Sequence, residues 1–161
     1  MNRRTFVSAL AGLFVVAKAA DAAAQPKPAA EKIEKLVLKA EEWKKRLSAE
    51  QYAVLREEAT ERPGSSPLNG EKRKGQYACA GCDLPLFGSE AKYESGTGWP
   101  SFHTPLPGRL GFRTDYKLIY PRTEYHCIRC GGHQGHVFDD GPQPTGKRYC
   151  NNGVALKFVP A

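Results

Sequence analysis

With 161 residues, 24 Lys and Arg against 17 Asp and Glu, and a net charge of +7, the chain has room for one modest domain with a single core. Its one dense basic run, Lys72-Arg73-Lys74, has no interleaved aromatics, whereas single-stranded nucleic acid is held by a basic track with stacking rings. The charge therefore reads as solubility, with no nucleic-acid partner.

Met1-Asn2-Arg3-Arg4 is followed by an apolar stretch over residues 6–16 and then small residues, with A-x-A cleavage points at Ala17-Lys18-Ala19 and Ala22-Ala23-Ala24. Residues 1–24 read as a signal peptide of the twin-arginine kind, too short to span a bilayer as a mature helix. The mature protein is expected to be exported or periplasmic, monomeric, and not stably inserted in a membrane. Residues 25–46 read as a leader: Pro- and Ala-rich to residue 30, then an amphipathic helix from residue 31. Ile33, Leu36, Val37, Ala40, Trp43 and Leu47 follow its 3.6 period. Ser48 with Gln51 three residues later makes a capping box for a second helix to about residue 58. Beyond Pro63-Gly64 and Ser65-Ser66-Pro67 the texture changes to short apolar runs between Gly, Pro and Asp. Strands are expected at 114–120, 124–127 and 154–159.

Five cysteines fall as two C-x-x-C knuckles, Cys79 with Cys82 and Cys127 with Cys130, plus Cys150 alone. Four thiolates suit a closed tetrahedral zinc site, here a clasp joining distant segments. Gly81 within the first knuckle and Gly131-Gly132 after the second supply turn chemistry. Two disulfides or a working dithiol are the alternatives, although a bridge inside a C-x-x-C closes a very small loop and constrains little. Cys150 is by default a buried inert thiol, unless its neighbours make it a nucleophile.

Those neighbours are suggestive. In Arg148-Tyr149-Cys150-Asn151-Asn152 an extended backbone puts Arg148, Cys150 and Asn152 on one face, where positive charge favours the reactive thiolate. In His133-Gln134-Gly135-His136-Val137-Phe138-Asp139-Asp140 the same alternation aligns His136, Phe138 and Asp140, an imidazole with a carboxylate nearby. Trp99 and Phe102 would ordinarily be core aromatics.

Three words in order, Ser95-Gly96-Thr97-Gly98-Trp99-Pro100-Ser101-Phe102, Gly135-His136-Val137-Phe138 through Pro142, and Arg148-Tyr149-Cys150 with Asn152, resemble the B-type methionine sulfoxide reductases. These enzymes restore one epimer of oxidised methionine. The resemblance also takes in both knuckles and covers residues 47–161. It implies a mainly β, β-tent-like fold of small antiparallel sheets with N-terminal helices and a four-cysteine zinc clasp. It implies a substrate of oxidised proteins or peptides carrying methionine-R-sulfoxide, and attack by Cys150 on the sulfoxide sulfur to leave a sulfenic acid. His136 and Asn152, supported by Asp140 and His133, would help protonate the departing oxygen, and Arg148 would favour the thiolate. Trp99, helped by Phe102 or Phe138, would wall the S-methyl group. Many members carry a resolving cysteine where this chain has Thr97, so an external thiol donor such as a thioredoxin-like protein is expected to recycle the enzyme. The competing expectation is a zinc-clasped, non-catalytic binding module.

Overall fold

The structure, a computed structural model, describes residues 32–161; the signal peptide and the residue 25–30 leader lie outside them. Two short helices, α1 (Ala40–Arg46) and α2 (Ala49–Glu57), precede nine strands. α2 starts where the capping box places it: Ser48 Oγ accepts from the Gln51 N–H and Gln51 Oε1 accepts from the Ser48 N–H, each at 3.1 Å. α1 starts later than its apolar period suggests. The segment before it is tied down in non-helical form, with the Leu36 N–H on the Arg129 carbonyl at 2.8 Å and Lys35 Nζ on the Ile128 carbonyl at 2.6 Å. The period is nonetheless meaningful: Trp43 and Leu47 are buried, and Ile33, Leu36 and Leu38 pack against the core. This segment therefore docks on the domain and does not space it from a partner.

The strands form two antiparallel sheets. The smaller contains β1 (Gly75–Cys79), β2 (Pro85–Gly88) and β9 (Leu156–Pro160), in the order β2-β1-β9. The larger contains β3 (Lys92–Tyr93), β4 (Ser101–Phe102), β5 (Leu110–Asp115), β6 (Arg122–Cys127), β7 (His133–Phe138) and β8 (Arg148–Asn151), in the order β3-β4-β8-β7-β6-β5. The mainly β architecture with N-terminal helices is as expected.

β5 ends at Asp115, short of the expected strand over 114–120. Asp115 Oδ1 accepts the Lys117 N–H at 2.8 Å, a local side-chain bond of the kind that turns a chain out of a strand. The chain re-enters the sheet at Arg122, opposite Asp115.

Register fixes which side chains meet. Arg113 lies opposite Glu124, Glu124 opposite His136, His136 opposite Cys150, and Cys150 opposite Ser101. One row thus crosses five strands, and in such rows facing Cβ atoms sit about 4.5–5.5 Å apart. The opposite face carries Tyr125, Tyr149 and Phe102 into the core, where Phe102 stacks on Phe87 at 4.2 Å and meets Tyr77 edge-on at 4.9 Å. Among the described residues no helix is long and apolar enough to cross a membrane.

Candidate active site

A cavity of about 270 Å³ opens over the Cys150 face of the larger sheet, lined in part by Thr60, Thr97, Trp99, Arg122, His136 and Phe138. Gly135, Arg148, Cys150, Asn151 and Asn152 complete it. A larger groove, about 890 Å³, runs beside α2, but neither a cysteine nor a histidine lines it. The chemistry therefore belongs to the smaller cavity, whose mixed apolar and polar lining suits one side chain with a polar tip.

His136 and Cys150 meet across β7 and β8. His136 Nε2 lies 2.7 Å from Asp115 Oδ2, and the same oxygen accepts from Arg122 Nη2 at 2.6 Å. The Lys117 backbone N–H, then His136 and Arg122, hold the Asp115 carboxyl well below the usual carboxylate range. An ionised Asp115 fixes the proton on Nε2 and leaves Nδ1 as the acceptor of the neutral ring. Burial pushes His136 below the usual imidazole range, with Asp115 pulling it partly back. The carboxylate serving His136 is thus Asp115, not Asp140 as the alternation suggested, because β7 ends at Phe138 and the chain turns away before Asp140.

Asp140 instead clamps Arg148, accepting from Nε and Nη2 at 2.8 Å each. Its side chain is 61% exposed and does not line the cavity. The clamped guanidinium stacks over the Phe138 ring at 4.3 Å, which gives Phe138 a second task besides walling the cavity. Asn152 lies just past β8 and reaches the cavity, but its amide is already engaged. Oδ1 accepts the Glu61 N–H at 3.0 Å, and Nδ2 donates to the Gln134 carbonyl at 3.0 Å.

Two expected site residues stand elsewhere. Phe102 is fully buried in the core: Ser101 faces Cys150, so the next residue in the strand must point the other way. His133 is also buried and does not line the cavity. Its Nδ1 lies 2.7 Å from Glu124 Oε1, and its ring meets that of His136 edge-on at 5.5 Å. Glu124 carries a further His126 contact at 3.2 Å and an Arg113 contact at 3.0 Å. Although burial alone would raise its carboxyl, His126, His133 and Arg113 bring it down to about 2. This charged node flanks His136 across β6 and β7.

Trp99 is held at the cavity wall, its Nε1 donating to the Glu61 carbonyl at 3.1 Å. The loop that carries it is wedged against Pro63 and Gly64. Gly98 has φ +89°, and a Cβ there would stand 2.9 Å from the Pro63 Cβ, so only glycine brings Trp99 into place. Thr60, Glu61, Asp115 and Arg122 were not legible as site residues.

Burial pushes the Cys150 thiol above the usual range, and it outweighs the Arg148 charge and the hydrogen bonds from Thr97 and Arg148 that lower it. Arg148 acts in the expected direction, favouring the thiolate, while burial of the thiol opposes it. Alkylation of Cys150, followed by peptide mapping, should accelerate with pH through a midpoint above that of an ordinary thiol. Arg148→Gln should move that midpoint higher still. A midpoint in the neutral range, unmoved by the substitution, would contradict this electrostatic picture.

The other four cysteines form a separate cluster. Cys79 and Cys82 flank a turn leaving β1, and Cys127 and Cys130 flank one leaving β6, so the cluster joins the two sheets. Each turn closes with a bond back to its first cysteine, from the Asp83 N–H at 2.8 Å and the Gly131 N–H at 2.9 Å. The positive φ each turn needs is taken by Asp83 (59°) and Gly131 (69°), not by Gly81. The four Sγ atoms lie within 4.8 Å of one another, with Cys79–Cys130 at 3.7 Å and Cys82–Cys127 at 3.5 Å. A disulfide needs about 2.05 Å, whereas thiolates at the corners of a tetrahedron around zinc stand about 3.8 Å apart for metal–sulfur bonds of about 2.3 Å. The cluster fits a structural metal and offers no open position for catalysis.

Comparison with known proteins agrees with this geometry. A family model described as the SelR domain matches residues 47–160. The peptide methionine sulfoxide reductase MsrB of Methanosarcina barkeri is 55% identical over 119 residues, spanning 73% of this chain and 84% of its own length. The Agrobacterium fabrum protein of the same name is 49% identical over 120 residues, with 74% and 89% covered. Peptide methionine sulfoxide reductase B1, chloroplastic, of Arabidopsis thaliana is 49% identical over 138 residues, with 83% and 68% covered. A thiol and an oriented imidazole in one small cavity, and a four-cysteine clasp apart from it, thus sit in a chain that belongs to the SelR-domain family of MsrB reductases.

Proposed function

We propose that this protein reduces methionine-R-sulfoxide in oxidised proteins or peptides to methionine, with Cys150 as the nucleophile. The observation that carries the reading is the juxtaposition of Cys150, His136 and Trp99 in one cavity sized for a single side chain. The sulfoxide's S-methyl group packs on Trp99 and Phe138. Cys150 gives up its proton as its sulfur attacks the sulfoxide sulfur, and protonation makes the sulfoxide oxygen a leaving group. His136, whose Nε2 is engaged by Asp115, receives and passes on that proton through Nδ1. The balanced outcome is a thioether plus Cys150 sulfenic acid: the methionine sulfur gains two electrons and the cysteine sulfur loses them. Two external thiols then return Cys150 to the thiol, forming one disulfide and one water.

The cysteine count supports an external thiol donor, read here as a thioredoxin-like protein. Of the five cysteines, four are gathered in the clasp, and Thr97 lines the Cys150 cavity where many family members carry a resolving cysteine. After one turnover without reductant, intact-mass and peptide analysis should find Cys150 heavier by one oxygen and no new intramolecular disulfide. A Cys150 bridge to any clasp cysteine would overturn this route.

Zinc is the occupant proposed for Cys79, Cys82, Cys127 and Cys130. It supplies cross-linking between the sheets and takes no part in the reaction. The protein is read as a monomer exported by the twin-arginine route, its four-thiolate site filled before export and thereby protected from oxidation outside the cytoplasm.

A further inference from the structure

We infer that the apolar loop joining β5 to β6 is a docking surface for the polypeptide on either side of the oxidised methionine. The inference rests on the reductase reading and names what surrounds the reacting side chain. Among the described residues, four of the seven exposed large hydrophobics fall in this loop: Tyr116, Leu118, Ile119 and Tyr120, with Ile119 fully in solvent. A fifth, Phe112, lies on the strand leading into it. Scattered exposed apolar residues need no explanation, but a contiguous group of them marks a contact surface.

The position of the loop says what it contacts. Its base is built from the site itself: Asp115, which orients His136, pairs with Arg122, which lines the cavity. Its flank is pinned by Lys117 Nζ on Glu58 Oε2 at 2.6 Å, two residues before Thr60, which also lines the cavity. A cavity of about 270 Å³ holds one side chain and leaves the rest of the polypeptide outside. A chain with its methionine sulfoxide at Cys150 therefore lays neighbouring residues along this rim. Glu58 pairs with both Lys117 and Arg113, and the rim presents the exposed apolar side chains of Leu118 and Ile119, with Tyr116 and Tyr120 on either side in the chain. It fits apolar residues in an extended segment, as exposed when a damaged protein unfolds. Such contact is made before and during reaction alike, so it acts as uniform binding and shows in KM.

The test compares the unaltered full-length chain with Leu118→Ser/Ile119→Ser on three R-sulfoxide substrates. These are N-acetyl-methionine sulfoxide methylamide, a peptide with two leucines on each side of the oxidised methionine, and the same peptide with serines. Losing contact with one or two buried leucines should lower kcat/KM for the leucine peptide about tenfold, mainly through KM, while the other two substrates stay within about twofold. An equal loss on all three, or no loss on any, would overturn the docking surface while leaving the reductase reading intact. Failure of the unaltered chain to reduce any of the three would overturn the reductase reading, and the docking surface with it.

Discussion

Cys127→Ser is expected to leave the chain unable to hold its fold, and stripping the metal with a strong chelator should do the same to the unaltered protein. Besides the clasp, this end of the two sheets is joined by Arg129 Nη1 on the Cys82 carbonyl at 3.2 Å and Gln134 Nε2 on Cys79 Sγ at 3.4 Å, bonds that themselves depend on the knuckles. Cys127 leaves β6 of one sheet and Cys79 leaves β1 of the other, and Trp43 and Leu55 pack beside the same turn at Gly81. The N-terminal segment and α2 are in turn tied to the second knuckle, through Leu36 on Arg129 and Arg56 on the Cys130 carbonyl at 2.9 Å. Structural zinc in small domains contributes an apparent ~10–16 kcal/mol, comparable to or above the whole net stability of a domain, ~5–15 kcal/mol. Removing one thiolate therefore takes away more than the fold can spare. The checks are metal content, expected at one zinc per chain, and a thermal melt with and without chelator. A melt unmoved by a chelator that removes all metal would contradict the clasp.

How much of this was readable from the chain depends on the distance over which each signal acts. The capping box at Ser48 and Gln51 is local, and it placed α2 correctly. The two knuckles are also local, and their pairing into one cluster needed only the tetrahedral requirement. Strand alternation correctly put His136 with Phe138 and Cys150 with Arg148. It failed wherever a partner came from another strand. Asp115 reaches His136 only because β5, β6 and β7 are neighbours, and no short-range pattern encodes that order. Phe102 shows the same limit: the motif that contains it was legible, but its face was set by the register of Ser101 against Cys150. The run after Asp115 looked like strand because it is rich in tyrosine, leucine and isoleucine; the Asp115 side chain turns it out of the sheet. The helix expected from residue 31 was real in its apolar period, yet hydrogen bonds to the second knuckle held its first part extended. Arg148 was rightly placed beside the thiol and favours the thiolate as expected; the opposing effect of burying Cys150 depends on the packed sheet and has no short-range signal.

The second large effect concerns Cys150 itself. Cys150→Ser keeps nearly the same volume and an O–H in place of the S–H, so Arg148, Thr97 and His136 retain their neighbour and the fold should be unchanged. A serine hydroxyl is a far weaker nucleophile toward sulfur, and a sulfenic acid cannot form on oxygen. Loss of a covalent nucleophile costs roughly 10³-fold or more in kcat, here with no alternative cysteine, because the remaining four are held in the clasp. The variant should still bind metal and melt at the same temperature, which separates loss of chemistry from loss of structure.

The most direct measurement supplies the metal-loaded protein with dithiothreitol and, separately, each sulfoxide epimer of N-acetyl-methionine methylamide, alongside Cys150→Ser. Reduction of the R epimer alone, abolished in the variant, is the expected result. Turnover that survives in Cys150→Ser, or no reduction of either epimer by a folded, metal-bound chain, would contradict the assignment of this cavity as a methionine sulfoxide reductase site.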